Sequence, residues 1–264
     1  MDKISNLIPH SFISTQQSEF FKTTKNNLQA DEFLIISDFA ENYTFVVQDE
    51  IQAFHWANQQ CTIHPICIYY KNIDGELMNL SLIIIAESLE HNYTAVHLFQ
   101  NKLLQFLKNK FGNIKKLYFF SDGAASQYKN KKNFYGLCEM KIKYNIEVEW
   151  HFFATYHGKS SCDAIGGTFK RMATIESLRR VHTDHILSAE ALYNWAQSLH
   201  TSFTTIYCTK FEHDELVRKM KNKYDNVKTI TGTQTYHCYI PTNDFKIIVK
   251  TFSLSKDYNE MKLI

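Results

Sequence analysis

Apolar positions recur along the chain with two different periods, and each period predicts one kind of element. Short runs rich in β-branched and aromatic residues are typical of buried strands. Asp74-Gly75 between the second and third of the first three such runs predicts a tight hairpin turn. The first run favours a strand that ends near Asp38 or continues past a bulge. The runs are FLIISDFAENYTFVV (33–47), TIHPICIYYK (62–71) and LMNLSLIIIAES (77–88).

After these three runs, segments whose apolar residues have helical spacing alternate with short continuous apolar runs. Apolar residues spaced like one face of a helix, followed by a glycine, predict a helix that ends at Gly112. The order becomes three strands, helix, strand, helix, strand, helix, which is the order of RNase H-like folds. The later elements are a strand at 114–121, a helix at 134–144, a strand at 148–155 and a helix at 160–180.

These elements divide the chain into three parts. Residues 1–31 are polar and weakly patterned, which indicates an N-terminal arm. Residues 32–180 form the expected RNase H-like catalytic core, an α/β fold with a mixed five-stranded sheet flanked by helices. Residues 181–264 form a C-terminal helical and β extension, with helical stretches at 188–199 and 212–224.

Composition and charge narrow the possible partners. The 264 residues are 44% hydrophobic, enough for a sizeable core. The formal net charge is only +2, so a nucleic-acid site has to come from local clusters of basic residues. We expect an intracellular protein with no membrane association, because no apolar run of about 18 residues and no signal-peptide pattern is present. Six cysteines without a CxxC pair favour reduced thiols in the core.

Three aspartates lie at the end of a predicted strand or at the start of a predicted helix. Asp38 lies in the first strand, Asp122 directly after the fourth, and Asp163 at the start of the helix after the fifth. Strands one and four are neighbours in an RNase H-like sheet, so the three carboxylates should converge at one edge. Converging carboxylates suit two divalent ions about 4 Å apart in phosphodiester cleavage, and hard Mg²⁺ or Mn²⁺ prefers oxygen ligands. A turn or helix-cap role is the alternative for each aspartate taken alone.

Two further acidic positions compete with this set. Glu176 is an alternative third acid, but it lies about 220° around the helix from Asp163, so one face cannot hold both. Glu41 and the adjacent Asn42 are candidates for contacting a metal-bound water, with a structural role in a bulge as the favoured alternative.

Three sequence blocks resemble eukaryotic DDE/D transposases. They are DFAENY (38–43), SDGAASQYKNKKNF (121–134) and HGKSSCDAIGGTFKR (157–171). The resemblance spans roughly residues 32–180 and is closest to transposon-derived proteins of invertebrate genomes. It implies an enzyme that cuts DNA at element ends and joins 3′-hydroxyls to target DNA with a divalent metal, and it assigns the catalytic acids to Asp38, Asp122 and Asp163. An N-terminal zinc-finger-like domain and a Cys-x-x-His motif, which occur in related groups, are missing from this sequence.

Residues near the aspartates are candidate catalytic and nucleic-acid contacts. His157 suits proton transfer or contact with the scissile phosphate, with a plain loop as the alternative. The loop after Asp122 mixes polar, aromatic and basic groups, which suits backbone phosphates and an unpaired base; a solvated loop is the alternative. Gly166 and Gly167 indicate either close approach of DNA or tight helix packing. The expected nucleic-acid contacts are Gln127, Tyr128, Lys129, Asn130, Lys131, Lys132, Lys159, Lys170 and Arg171.

The function expected from these observations is a nuclear DNA transposase or transposase-derived nuclease. Its partners would be double-stranded DNA, as transposon ends and target, and further copies of itself in a homo-oligomer. A structure-specific or RNA/DNA-hybrid nuclease is a second enzymatic alternative, since metal chemistry alone does not choose the substrate. A catalytically silent, domesticated transposase domain that binds DNA or a protein is the non-enzymatic alternative.

Overall fold

A mixed β-sheet with helices against both faces organises the chain. This computed structural model describes residues 2–46, 59–154, 161–180, 184–199 and 203–264. The helices are α1 (Asp2–Asn26), α2 (Tyr93–Phe111), α3 (Lys131–Tyr144), α4 (Ser161–Arg179), α5 (Ala189–Ser198) and α6 (Lys210–Met220). The strands are β1 (Glu32–Ser37), β2 (Tyr43–Thr44), β3 (Gln60–Lys71), β4 (Leu77–Ala86), β5 (Lys116–Ser121), β6 (Glu147–Phe152), β7 (Phe203–Cys208), β8 (Cys238–Pro241), β9 (Lys246–Lys250) and β10 (Asn259–Lys262).

The centre of the sheet has the strand order β4-β3-β1-β5-β6. β1 pairs antiparallel with β3 and parallel with β5, so the first and fourth expected strands are neighbours. β4 pairs antiparallel with β3, and β6 pairs parallel with β5. The prediction of an α/β fold with a mixed sheet is therefore confirmed.

The sheet is wider than expected. The described residues form a ten-stranded sheet, whereas the sequence predicted five strands and a separate β extension. β7 pairs parallel with β4 at one side, and β8 pairs antiparallel with β6 at the other, followed by β9 and β10. The C-terminal residues thus cover strand edges that would otherwise expose unpaired backbone groups.

Alternating side chains of the strands fill two separate cores. In β1, Phe33 and Ile35 point to the face covered by α2, α3 and α6, whereas Leu34 and Ile36 point to the other face. That second face is covered by α4 and α5, with partly buried phenylalanines of α1 packed against it. The all-apolar run in β1 reflects this burial on both faces.

Local sequence signals fix the ends of central elements. Asn92 caps α2 by accepting hydrogen bonds from the backbone of Thr94 and Ala95, and Gly112 ends it with a φ of 76°. In the β3–β4 hairpin, Asn72 Oδ1 accepts from two backbone N–H groups, and Gly75 has a φ of 79°. The predicted helix end and hairpin turn are confirmed.

The N-terminal segment differs from the expected arm, because it forms the long helix α1. Gln17 is buried, and its Nε2 donates hydrogen bonds to the carbonyl oxygens of Phe152 (2.9 Å) and His237 (3.2 Å). Its Oε1 accepts from Ser253 N at 2.7 Å. These contacts come from a polar side chain in a segment without apolar periodicity, so the sequence pattern did not predict the helix.

The cysteines and helices show two further features. All six cysteines are buried and free, in agreement with reduced thiols in the core. Within the ranges the structure describes, none of the helices has the length and apolar character needed to cross a membrane.

Candidate functional site

The parallel pairing of β1 and β5 brings Asp38 and Asp122 to the same edge of the sheet. Ile36 pairs with Phe120 in this register, and each aspartate lies two residues beyond its member of the pair. Both strands run in the same direction, so their carboxyl ends place the two acids side by side. The expected adjacency of these two positions follows directly from the register.

Asp38 is held just beyond the end of β1. Its backbone N–H donates to the carbonyl oxygen of Pro65 (3.4 Å), and its Oδ1 accepts from Phe39 N at 2.9 Å. Burial, the charge of Asp122 and the charge of Asp163 raise the pKa of Asp38 to about 7, against the opposing hydrogen bond from Phe39. Both other aspartates therefore lie within electrostatic reach of Asp38.

Asp122 starts the loop after β5. Its Oδ1 accepts from Ala124 N at 3.1 Å, and burial raises the pKa of its carboxyl despite that hydrogen bond. The preceding Ser121 is buried, and its hydroxyl accepts a hydrogen bond from Trp150 Nε1 at 3.0 Å. The end of β5 is thereby fixed to β6.

Asp163 lies in the first turn of α4, with an exposed side chain. The thiol of Cys162 donates to the carbonyl oxygen of Ile36 at 3.4 Å, which holds this turn over the end of β1. A Cβ built on Gly166 would lie 3.3 Å from Pro65 Cγ, so this glycine permits close packing of the helix on β3. Gly167 faces open space.

Glu176, the competing third acid, lies elsewhere. Its carboxylate accepts a hydrogen bond from Nε of Arg180, which directly follows α4, at 3.0 Å. Its charge is not among those that shift the pKa of Asp38. Asp163 is therefore the acid of α4 that lies near Asp38.

A cleft of about 350 Å³ lies between α4 and the segment after β1. Asp38 and Asp163 line it, whereas Asp122 does not. At its other end the Lys170 ammonium donates to the carbonyl oxygen of Glu41, and burial lowers the pKa of Lys170. The lining residues are Asp38, Phe39, Ala40, Glu41, Pro65, Cys162, Asp163, Gly166, Gly167 and Lys170.

The donor chemistry of this site fits a hard cation in part. Among the described residues, no three His, Cys, Asp or Glu side chains are arranged to hold a metal ion together. Burial is the main cause of the raised pKa of Asp38, and the charges of Asp122 and Asp163 add to it. A divalent cation would neutralise that accumulated negative charge. Mg²⁺ commonly takes one or two carboxylates and completes its shell with water and substrate phosphate. Asp38 and Asp122 are suited to that partial role.

The loop after Asp122 is turned inward, which corrects the expectation of a nucleic-acid surface at two positions. Tyr128 is 1% exposed and Lys129 is 3% exposed. The Lys129 ammonium donates to the carbonyl oxygen of Gln234 (3.2 Å) and lies 5.2 Å from the centre of the Phe152 ring. Burial lowers the pKa of Lys129 to about 8. Neither side chain faces solvent.

The rest of this loop also serves the fold. Asn130 caps α3 through Asn133 N (3.1 Å), and the side chain of Asn133 donates to the carbonyl oxygen of Gln127 (2.6 Å). The Lys131 ammonium donates to Val227 O at 2.7 Å. Lys132 lies over the aromatic ring of Tyr93, 3.7 Å from its centre. The basic sequence of this loop predicted side chains that face DNA, and it gave no indication of these contacts within the protein.

Of the four remaining site residues expected from the sequence, the structure describes two. Lys170 lines the cleft, and Arg171 is exposed beside it on α4. His157 and Lys159 lie outside the described residues.

Two histidines packed against Phe39, the residue after Asp38, were not anticipated. His91 stacks on Phe39 with 4.3 Å between ring centres, and its Nε2 lies 2.8 Å from Asn42 Oδ1. His64 is buried against the same Phe39 ring, and burial lowers its pKa to about 3. Asn42 is therefore hydrogen-bonded within the fold. The histidines themselves carry no motif that would have marked them.

Comparison with known proteins places the chain in a family. No curated protein matches the sequence, and no solved structure matches it. A family described as "Domain of unknown function (DUF8701)" matches residues 17–253, which include every described residue of the site above. Since this match covers most of the 264 residues, the chain belongs to the family described as Domain of unknown function (DUF8701).

Proposed function

We propose that this protein is a DNA transposase or a transposase-derived endonuclease that cleaves phosphodiester bonds with two Mg²⁺ or Mn²⁺ ions. Its catalytic acids are Asp38, Asp122 and Asp163. The substrate is double-stranded DNA, with strand transfer to target DNA as the second reaction, and such a protein acts in the nucleus.

The observation that carries the proposal is that the charges of Asp122 and Asp163 both reach Asp38. The three acids come from two strand ends and one helix start, up to 125 residues apart in sequence. Burial raises the pKa of Asp38, and the charges of Asp122 and Asp163 raise it further. The raised pKa values of the partly buried Asp38 and Asp122 carboxyls mean that their charged forms cost folding energy, and such a cost favours a functional role.

The strand order supports an RNase H-like core. The five central strands follow the order β4-β3-β1-β5-β6, with only β3 antiparallel to β1 and to β4 at the centre. The acids then occupy the carboxyl ends of β1 and β5 and the helix after β6. The order and the acid positions agree with the transposase resemblance of the sequence blocks.

Different residues of the site would bind the metal ions and the DNA. Bound divalent ions supply activation of the attacking oxygen and stabilisation of the leaving oxygen. Asp38 and Asp122 would hold a cation at the sheet edge, and Asp163 would contribute from the opposite wall. Lys170, at the other end of the cleft, would attract a DNA phosphate. Asp38 has to lose its proton to bind a cation, so acid would weaken binding.

Two observations favour the silent alternative, in which the domain binds DNA or a protein without cutting. Asp38, Asp122 and Asp163 do not form a ready three-ligand set within the described residues. Lys129 is also withdrawn from the surface. A protein that retained the fold after losing catalysis would have these properties.

Cleavage of supercoiled plasmid DNA by the purified full chain, with Mg²⁺ or Mn²⁺, tests the proposal. We expect nicked and linear products from the wild type and none from Asp122→Asn, with Asp74→Asn in the exposed hairpin turn as the matched control. Joined products from a 3′-hydroxyl DNA end would identify strand transfer. Cleavage restricted to RNA/DNA hybrids would favour the hybrid nuclease. DNA binding without any metal-dependent cleavage would favour the silent domain.

A further inference from the structure

A second cavity, of about 570 Å³, lies between α2, α3 and α6. These helices cover the face of the sheet opposite α4, so the cavity differs from the cleft that Asp38 and Asp163 line. Its volume lies within the range of about 300–1,000 Å³ that is typical of small-molecule sites.

One part of the cavity wall is apolar. It contains Met140 of α3, Leu216 and Met220 of α6, and Phe245 before β9. Methionine side chains are flexible and adapt to ligands of irregular shape. Ile142 also lines the cavity and is 46% exposed, so apolar surface is open to solvent there. This wall suits the apolar body of an organic molecule.

The charged part of the wall is mainly basic. Lys143, Lys219 and Lys223 line the cavity, and Glu139 is the acid among its described lining residues. Lys223 pairs with Glu139 at 2.6 Å, and Lys219 pairs with Glu215 at 3.3 Å. Within the described parts of the chain, Lys143 forms no ion pair, so no carboxylate neutralises its ammonium group.

The helices around the cavity concentrate positive charge. The ammonium groups of Lys108 and Lys143 lie 4.1 Å and 5.0 Å from the centre of the ring of Tyr144, which lines the cavity. Together α2 and α3 contain seven lysines and one glutamate, whereas the whole chain has 29 basic and 27 acidic residues. Such a local excess of positive charge attracts anions.

Two polar side chains of α2, Asn101 and His97, complete the wall. His97 lies against α3 because the facing residue is a glycine: a Cβ built on Gly136 would lie 3.1 Å from His97 Nδ1. Burial, with smaller contributions from the charges of Lys223 and Lys143, lowers the pKa of His97 to about 4. The imidazole is therefore neutral near pH 7 and can donate or accept a hydrogen bond.

We propose that this cavity binds a small organic anion, whose phosphate, sulfonate or carboxylate group lies near Lys143 and whose apolar body packs against Met140, Leu216 and Met220. The proposal goes beyond DNA cleavage, because the cavity uses none of the three acids. Lysines that only complement the dipoles of their helices would not require an apolar wall beside them.

The test uses two fluorescent probes that differ in one charged group: anilinonaphthalene sulfonate and the neutral N-phenylnaphthylamine. Each is titrated into the full chain. We expect the wild type to bind the sulfonate more tightly than the neutral probe. Lys143→Met should weaken sulfonate binding about 10-fold and leave binding of the neutral probe unchanged, because only the charge interaction is lost. Lys143→Arg, which keeps the charge, should retain most of the sulfonate affinity.

Lys256→Met, at an exposed position outside the cavity, is the matched control and should bind both probes like the wild type. Melting temperatures accompany each titration, since partly unfolded proteins also bind such probes. Equal affinity of the wild type for the two probes overturns the proposal, as does unchanged sulfonate binding in a folded Lys143→Met.

Displacement of the sulfonate probe identifies the class of anion. Adenosine monophosphate as the effective competitor would indicate a nucleoside phosphate, and laurate would indicate an alkyl carboxylate. Failure of both anions to displace the probe overturns the proposal. Because these titrations contain no DNA and no metal, a negative result does not affect the proposed function, which the plasmid cleavage assay tests separately.

Discussion

The thiol of Cys162 donates a hydrogen bond to the carbonyl oxygen of Ile36, with 3.4 Å between Sγ and O. This contact joins the first turn of α4 to the end of β1. Asp163 directly follows Cys162, and Asp38 lies two residues beyond Ile36. Packing between a helix and a strand therefore sets the separation of these two acids, and changes at that contact should affect the site.

Gly166 and Gly167 allow this packing to be tested with a matched pair of alanine variants. Gly167→Ala adds a methyl group to open space in a helix, so it should stabilise the protein by about 1 kcal/mol. In Gly166→Ala the new Cβ lies 3.3 Å from Pro65 Cγ and 3.5 Å from Ala40 Cβ. This crowding removes the gain in stability and moves α4. We expect a lower melting temperature and slower DNA cleavage for Gly166→Ala than for Gly167→Ala. Equal melting temperatures would show that α4 accommodates the methyl group.

Asp38→Asn should stabilise the folded protein above pH 7 and have little effect below pH 3.8. The folded pKa of about 7 lies above the ordinary value of 3.8, so the folded state binds more protons than the unfolded state in this window. The wild type therefore loses stability as the pH rises through the window, whereas asparagine carries no charge. Because the carboxyl is partly exposed, we expect a gain on the order of 2 kcal/mol at the alkaline end.

Urea unfolding of both proteins across this pH range provides the measurement. Asp74→Asn, in the exposed hairpin turn, is the control for removing a carboxylate outside the cleft. A difference between wild type and Asp38→Asn that does not vary with pH would contradict the raised pKa.

Much of the central fold was predictable because it depends on local signals. The helix end at Gly112 and the hairpin turn at Gly75 need a left-handed backbone, which glycine adopts at little cost. The positions of Asp38 and Asp122 after apolar runs also follow from the sequence alone. Their adjacency required only the order of the strands.

The remaining features depend on contacts between distant parts of the chain. The acceptor of the Lys129 ammonium is the carbonyl oxygen of Gln234, 105 residues away, and the basic loop sequence contains no sign of it. The long-range bonds of Gln17 likewise hold α1 without any apolar pattern. The pairing of β7 with β4 adds a strand from the C-terminal extension to an edge that local patterns do not define.

Two lysines provide a test of where DNA binds. Lys170→Met should weaken binding of double-stranded DNA and lower the slope of log affinity against log salt by about one, because one phosphate contact is lost. Lys129→Met should leave both quantities unchanged, since the Lys129 ammonium is buried against Gln234 and Phe152. Fluorescence anisotropy at several salt concentrations measures both effects, with circular dichroism as the control for folding. A stronger loss in Lys129→Met would place the DNA on the other side of the Asp122 loop.

Asp163→Asn should abolish metal-dependent DNA cleavage with little change in melting temperature, whereas Glu176→Gln should remain active. Asp163 is exposed, and its charge acts on Asp38, so its loss removes negative charge that attracts the cations while sparing the core. Glu176 instead pairs with Arg180 at 3.0 Å, and loss of that partly exposed pair should cost at most about 1 kcal/mol. Cleavage rates at saturating Mn²⁺, measured beside thermal melting, decide between them. An inactive but folded Glu176→Gln would transfer the third catalytic role to Glu176 and leave the pairing of Asp38 with Asp122 untouched.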